Sequence, residues 1–175
     1  MKKVLTVVCF LLAIGAQAQT GAAKNAVERI REQYADAKKM IEYNNSSEET
    51  RNQMTVNISH MVAAIGHQDK VVTYYFFTDY DEDAGDYVST PYFITVTYNV
   101  AARKFYEEYL LKGNGDIIFV YLSGDSSDGE RFEARYYWEN GQLVHRQLKG
   151  DEMVPEDDAR DQGNRLKEAF TYLMP

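Results

Sequence analysis

Apolar residues recur along this chain with two different periods, and the change of period divides it. Across 22–43, Val27, Ile30, Tyr34, Ala37 and Ile41 follow at steps of three and four, which lines one face of a helix. Lys24, Glu28, Arg31, Glu32, Asp36, Lys38 and Lys39 fill the remainder. So narrow a stripe predicts a helix lying along one sheet surface, and it is too short for the sustained heptads of a coiled coil. The polar run 44–52 ends it. From 71 onward, segments rich in β-branched and aromatic residues predict strands at 71–79, 92–99, 104–112, 116–122, 130–138 and 142–148. The connections are short, so neighbours pair in an antiparallel meander, apart from an acidic, flexible loop expected at 80–91. A closing helix is predicted at about 156–173, with Glu156, Asp157 and Asp158 in its first turn, where carboxylates suit the helix dipole. Ala159, Leu166, Phe170 and Leu173 share a face of it. Gly163 weakens its middle by about 1 kcal/mol relative to Ala and admits close approach to the sheet. The pattern is weakest over 53–70, where it predicts a short strand at 54–58 and a covered loop at 60–66. The fold class is therefore α+β: a meander of about six strands carrying an N-terminal and a C-terminal helix.

One unit is written twice within the meander. Residues 105–125 align with 131–151, so that Glu107 falls on Glu133, Asn114-Gly115 on Asn140-Gly141, and Gly124-Asp125 on Gly150-Asp151. Asn-Gly is a strong signal for a type I′ hairpin turn, which needs positive φ at both central residues. Each unit thus reads as strand, tight turn, strand and a Gly-Asp exit. A two-residue turn at 140–141 fixes the register beyond it: Trp138 opposite Leu143, Tyr137 opposite Val144, Tyr136 opposite His145, and Arg135 opposite Arg146. Phe132, Ala134, Tyr136, Trp138 and Leu143 then share one face, with Tyr137, Val144, Arg146 and Leu148 on the other. The first unit is apolar on both faces: Phe105, Tyr109, Leu111, Ile118, Val120 and Leu122 on one, Tyr106, Leu110, Ile117, Phe119 and Tyr121 on the other. Both helices are expected on one face, with sheet curvature or another segment covering part of the second.

The first 18 residues change the picture of the remainder. Lys2 and Lys3 precede an apolar run at 4–14 that is short for a bilayer, and Ala16-Gln17-Ala18 has the form of an export cleavage site. The segment 1–18 reads as a bacterial signal peptide, with the processed chain beginning at Gln19 as a single domain, 19–175. Val7 and Val8 are wrong for a lipid-attachment motif at Cys9. Cys9 is the only cysteine and leaves with the signal, so packing, not disulfides, must stabilise the domain. The formal charge of −8 becomes −10 once Lys2 and Lys3 are removed. That acidity argues against nucleic acid and anionic lipid as partners. No second long apolar run follows, so no transmembrane segment is expected in the processed chain.

The candidate chemistry is sparse. Asp79, Asp81 and Asp83 match the opening alternation of an EF-hand loop, and Asp86 lies beside them as a further candidate ligand, but Ala84 and Thr90 stand where its Gly and bidentate Glu belong. An acidic hairpin tip accounts for them, and no metal or other cofactor is expected. A second acidic tip at 123–129 lies at the opposite end of an up-and-down meander, so the two cannot share a site. His60, His67 and His145 have no recognised ligand spacing, although His60 and His67 fall near Asp69. Glu107, Glu108 and Glu133 stand on strands, where paired carboxylates could hydrolyse a glycan. Nucleophile-elbow, zinc-protease and phosphate-loop motifs do not occur. The 14 tyrosines suit either an ordinary half-wet sheet face or an aromatic platform for sugar or peptide, with Tyr106, Tyr121, Tyr136 and Trp138 as the candidate binding residues.

The segment 135–151, with its tyrosine-rich strand and xNGxL turn, resembles the variant MORN-type hairpin units of bacterial proteins. The overall layout also looks like uncharacterised exported bacterial proteins with one helix, a meander and a closing helix. The resemblance implies an interaction or scaffold module and carries no catalytic residue onto this chain. The expected function is a non-catalytic extracytoplasmic module, periplasmic or secreted, that binds a protein or glycan. The alternative is a small glycan- or peptidoglycan-acting hydrolase.

Overall fold

A computed structural model describes residues 2–46, 52–83, 85–126, 129–150 and 154–174, with side chains from residue 21 onward. Helix α1 spans Lys2–Ser46. Strands β1 (Gln53–Val62), β2 (Gly66–Asp81), β3 (Asp86–Val100), β4 (Arg103–Leu111), β5 (Ile117–Asp125), β6 (Arg131–Glu139) and β7 (Gln142–Lys149) follow, and α2 (Glu156–Leu173) closes the fold. The side chains of the expected export signal lie outside the described residues. Among the described residues no helix is long and apolar enough to cross a membrane.

The strands form one antiparallel sheet in the order of the chain, β1 to β7. The α+β meander is as the sequence predicts, and the short strand expected at 54–58 lengthens into a full seventh strand at its start. That strand, β1, runs the full length of 53–62 and pairs with β2 through ten residues. The expected covered loop at 60–66 is therefore mostly strand, and it is not covered: Met61 is 73% exposed, and Ile58 and Ile65 are also exposed. An edge strand with both faces half-wet shows no clean alternation, which is why the pattern faded there. The expected flexible loop at 80–91 is likewise mostly paired strand, because β2 and β3 continue as a long ribbon from Phe76–Pro91 to Asp81–Asp86. A bulge between Tyr75 and Phe76 marks where this ribbon departs from the sheet. Pro91 is tolerated beside the bulge, where a missing N–H does least damage.

The helices cover opposite faces, not one. On one side α2 seats Ala159, Leu166 and Phe170 on Val72, Tyr74, Phe76, Ile94, Val96, Tyr109, Val120, Tyr136 and Trp138. On the other, Val27, Ile30, Ala37 and Ile41 of α1 pack on Tyr92, Phe93, Leu110, Ile118, Phe119 and Tyr137. This explains why β4 and β5 are apolar on both faces. Burying each of these large side chains contributes about 1.5–3 kcal/mol. Both helices cross the strands, running from beside β7 towards β2 and β3. Arg146 meets Glu156 at the start of α2, while Phe170 near its end packs on Tyr74 and Phe76. Gly163 is the point of closest approach: a Cβ there would lie 2.6 Å from Tyr109 Cδ1 and 3.0 Å from Ile117 Cδ1.

Two bulges correct the register drawn from the repeat. The turn at 140–141 has φ 51° at Asn140 and 78° at Gly141, as a type I′ turn requires, and Trp138 does pair with Leu143. A shift then falls between Tyr137 and Trp138, so Tyr137 pairs with His145, Tyr136 with Arg146, and Arg135 with Gln147. Arg146 and Leu148 consequently move to the α2 face, and Glu133 pairs with Lys149. The first unit differs. Gly115 alone of its Asn-Gly pair is left-handed, at φ 82°. The Gly115 N–H donates to the Lys112 carbonyl and the Lys112 N–H to the Asp116 carbonyl, which is a three-residue loop and not a type I′ turn. The accompanying bulge at Leu110–Leu111 sends Ile117 to the α2 face and Ile118 to the α1 face, the reverse of the expectation. Gly124 is also no exit but part of β5, whereas Gly150 ends β7.

Candidate functional site

The register builds one row of side chains across five strands on the α2 face. Lys70 pairs with Tyr98, Tyr98 with Phe105, Phe105 with Gly124, and Gly124 with Phe132. Tyr98 and Phe105 stack with centroids 4.9 Å apart and planes 11° from parallel, and Phe105 lies 6.3 Å from Phe132. Gly124 makes the row possible. A Cβ there would sit 2.5 Å from Phe105 and 2.8 Å from Phe132, so the two rings occupy the space a side chain would take. Helix α2 covers the row only in part and leaves a cavity of about 430 Å³. That volume suits a small ligand. Tyr98, Phe105 and Phe132 form an aromatic wall, Glu107 and Ser123 line the floor, and Lys70, Asp158, Gln162 and Arg165 add polar and charged groups.

Glu107 is the notable group in this cavity. It is buried, and its carboxylate accepts a 2.6 Å hydrogen bond from the Tyr109 hydroxyl. Burial first, and then the Glu107 charge, push the Tyr109 hydroxyl far above the ordinary tyrosine range, so it stays a donor. Strand alternation sends the next residue the other way. Glu108, only 3% exposed, faces α1 and accepts from Tyr34 at 2.5 Å, Tyr106 at 2.6 Å and Lys38 at 2.8 Å. Desolvation, then the Glu108 carboxylate, raise the hydroxyls of Tyr34 and Tyr106 as well. Glu133 pairs with Arg135 at 3.0 Å and Lys149 at 3.8 Å. Glu107 and Glu108 thus lie on opposite faces of β4 and do not form a pair. Asp158, in the first turn of α2, is the second carboxylate lining the Glu107 cavity.

The four aromatic residues singled out in the sequence do not form one platform. Tyr136 and Trp138 are 0% and 2% exposed beneath α2, and the Tyr136 hydroxyl donates to the Val154 carbonyl. Tyr106 and Tyr121 are half-buried on the α1 side, with centroids 6.3 Å apart. The platform that exists, Tyr98–Phe105–Phe132, was signalled by a glycine inside a strand, although that glycine read as a turn residue. Asp79, Asp81, Asp83 and Asp86 sit at the tip of the β2–β3 ribbon. There Asp81 accepts from the Asp83 N–H at 2.9 Å and Asp86 from the Tyr87 N–H at 2.7 Å. Among the described residues, His, Cys, Asp and Glu nowhere gather in a group of three or more suited to a metal.

A serine, a histidine and an aspartate do meet at the β1–β2 hairpin, an arrangement the sequence reading missed. Ser59 Oγ lies 3.0 Å from His67 Nε2 and donates to Asp69 Oδ1 at 2.6 Å, while His67 Nε2 is 3.0 Å from Asp69 Oδ1. Serine and aspartate therefore contact the same ring nitrogen. A hydrolytic triad needs them on opposite nitrogens, so that the carboxylate orients the base that activates the hydroxyl. The trio is also exposed, with the His67 and Asp69 side chains 57% and 60% accessible. Its Ser59 hydrogen bond, and secondarily the His67 charge, lower the Asp69 pKa.

No family model, curated protein or solved structure matches this chain.

Proposed function

We propose that this chain is a non-catalytic binding module of an exported bacterial protein, and that the cavity under α2 is its ligand site. The observation that carries the reading is the juxtaposition of a stacked aromatic wall, Tyr98–Phe105–Phe132, with a buried carboxylate, Glu107, in one cavity. That pairing suits a sugar. The ring's C–H face packs on aromatic carbon, and its hydroxyls donate to a carboxylate and accept from Arg165 and Lys70. A glycan of the cell envelope is therefore the ligand class, in preference to a protein. The two hairpin units supply the scaffold, in keeping with their resemblance to MORN-type units, and export through the 1–18 signal would bring the module to that compartment.

A second reading keeps one observation: Glu107 and Asp158 line the same cavity, as a hydrolase acting on such a glycan would require. One experiment separates the two. Soluble oligosaccharides are titrated into the protein by calorimetry while the mixture is assayed for cleavage products. The binding module predicts saturable heat, no products, and loss of affinity of about tenfold or more in Glu107→Gln, since a hydroxyl loses its charged acceptor. Product formation abolished by Glu107→Gln would select the hydrolase. No heat with any oligosaccharide would reject both.

A further inference from the structure

A second cavity, of about 240 Å³, opens on the opposite face of the sheet and is lined by Arg31 and Tyr34 of α1 with Phe119, Tyr121, Arg135 and Tyr137 of the sheet. We propose that it binds a small ligand with an anionic head, carboxylate or phosphate, on a planar apolar body. Two guanidinium groups reach it from different elements. Arg135 lies over the Tyr121 ring at 4.8 Å and Arg31 over the Tyr137 ring at 5.6 Å. A guanidinium stacked on a ring is held in orientation with its N–H fork in the plane that matches carboxylate and phosphate oxygens; Arg135 commits one nitrogen to Glu133 and keeps the remainder of its fork. The floor is apolar: Phe119 is buried between Tyr34 and Tyr137, with centroids 5.0 Å from each.

The neighbouring carboxylates, Glu108 and Glu133, do not line this cavity but touch residues that do. Glu108 is held by Lys38, Tyr34 and Tyr106, and Glu133 by Arg135 and Lys149. Arg135 therefore shares its charge with Glu133. Arg31 is exposed and forms no ion pair among the described residues. In a chain of formal charge −8, a cavity lined by two cations and no carboxylate stands apart from the general surface, which would repel an anion. The site depends on neither Glu107 nor the cavity under α2.

The test is an NMR titration of the protein with phenyl phosphate, benzoate, inorganic phosphate and benzyl alcohol. Arg31 and Arg135 side-chain N–H signals and the Tyr121 and Tyr137 ring signals are the readouts. Phenyl phosphate and benzoate should move them saturably, with phenyl phosphate tighter if the natural head is a phosphate and benzoate tighter if it is a carboxylate. Inorganic phosphate should bind more weakly than either, and benzyl alcohol should leave the guanidinium signals unmoved. Arg31→Gln, at an exposed position, should weaken the tighter probe by about tenfold, the loss of one charge-assisted contact. Arg31→Lys should recover only part of that loss, and Lys39→Gln, elsewhere on α1, should be silent. Equal binding of benzyl alcohol, or indifference to Arg31→Gln and Arg135→Gln in folded variants, would overturn the assignment. So would the absence of any saturable shift at millimolar probe.

Discussion

Replacing Glu108 with alanine tests how α1 is fixed to the sheet. Glu108 receives three donors, two of them from α1: the Tyr34 hydroxyl at 2.5 Å and the Lys38 ammonium at 2.8 Å. The third is Tyr106 from its own strand, at 2.6 Å. Removing the carboxylate strands two half-buried hydroxyls, each costing about 1 kcal/mol, the low end of the range because water can reach a partly exposed group. Lys38 is about 42% exposed at its side chain, so it returns to water and its share is at most about 1 kcal/mol. The expected loss is thus about 2–3 kcal/mol, a large part of the ~5–15 kcal/mol that holds a typical domain folded. Urea unfolding should report it as a lower midpoint at unchanged slope. Glu108→Gln keeps one acceptor oxygen but turns an amide towards Lys38, and should lose about half as much. Tyr34→Phe should be destabilising in the native background and nearly silent beside Glu108→Ala, since the hydroxyl is already without its acceptor. A loss below about 0.5 kcal/mol in Glu108→Ala would refute the reasoning, because the three donors would then be satisfied elsewhere.

Other perturbations probe separate parts of the fold. Gly163→Leu should destabilise by about 2 kcal/mol or more through collision with Tyr109 and Ile117, and Gly163→Ala less, because better helix propensity offsets about 1 kcal/mol; chemical denaturation of both would show otherwise if neither lost stability. Gly115→Val and Gly141→Val should each lose about 1–3 kcal/mol from positive φ, whereas Asn140→Gly, at φ 51°, should be much milder, and a Gly→Val variant as stable as the parent would disprove that turn. The raised hydroxyl of Tyr109 gives a pH dependence of known sign. Unfolded tyrosine loses its proton near pH 10 while the folded group keeps it, so the unfolded state binds fewer protons above that pH. Stability should be fully present below pH 10 and fall above it, and equal urea midpoints at pH 9 and pH 11 would contradict this. Mass spectrometry of the protein made in bacteria from the full 175-residue chain should find a form beginning at Gln19; intact Met1 or a lipidated Cys9 on the processed form would exclude the signal.

The helices and most strands were legible because each buries one strongly patterned surface. Val27, Ile30, Ala37 and Ile41 recur at helical spacing and all four are buried. Phe132, Ala134, Tyr136 and Trp138 alternate and all face α2. What the pattern could not carry was the partner of each surface. The two-sided apolar character of β4 and β5 pointed to two covers, but periodicity does not say on which face a helix docks. Strand β1 was expected only over 54–58, and its full length escaped because residues such as Ile58 and Met61 stay exposed, so burial imposed no alternation on them. The bulges beside Trp138 and Leu111 were invisible because a single inserted residue leaves local composition unchanged while reversing every face beyond it. The same limit mixed core residues with cavity residues: Tyr106 and Tyr121 line cavities on the two faces, but not every candidate does. Tyr136 and Trp138 read as platform residues but serve as core beneath α2, whereas Phe105 and Phe132 become neighbours only because Gly124 separates them in register.

The cavity under α2 is the centre of the account, and mapping of bound glycan onto backbone amides addresses it directly. The protein, labelled with ¹⁵N, is titrated with soluble oligosaccharides, an N-acetylglucosamine tetramer first. Saturable shifts should concentrate at Tyr98, Phe105, Glu107, Ser123, Gln162 and Arg165, and they should disappear in Glu107→Gln under the same conditions. Shifts confined to the exposed ribbon around Tyr80 and Tyr87, or shifts at the cavity that persist undiminished in Glu107→Gln, would contradict it.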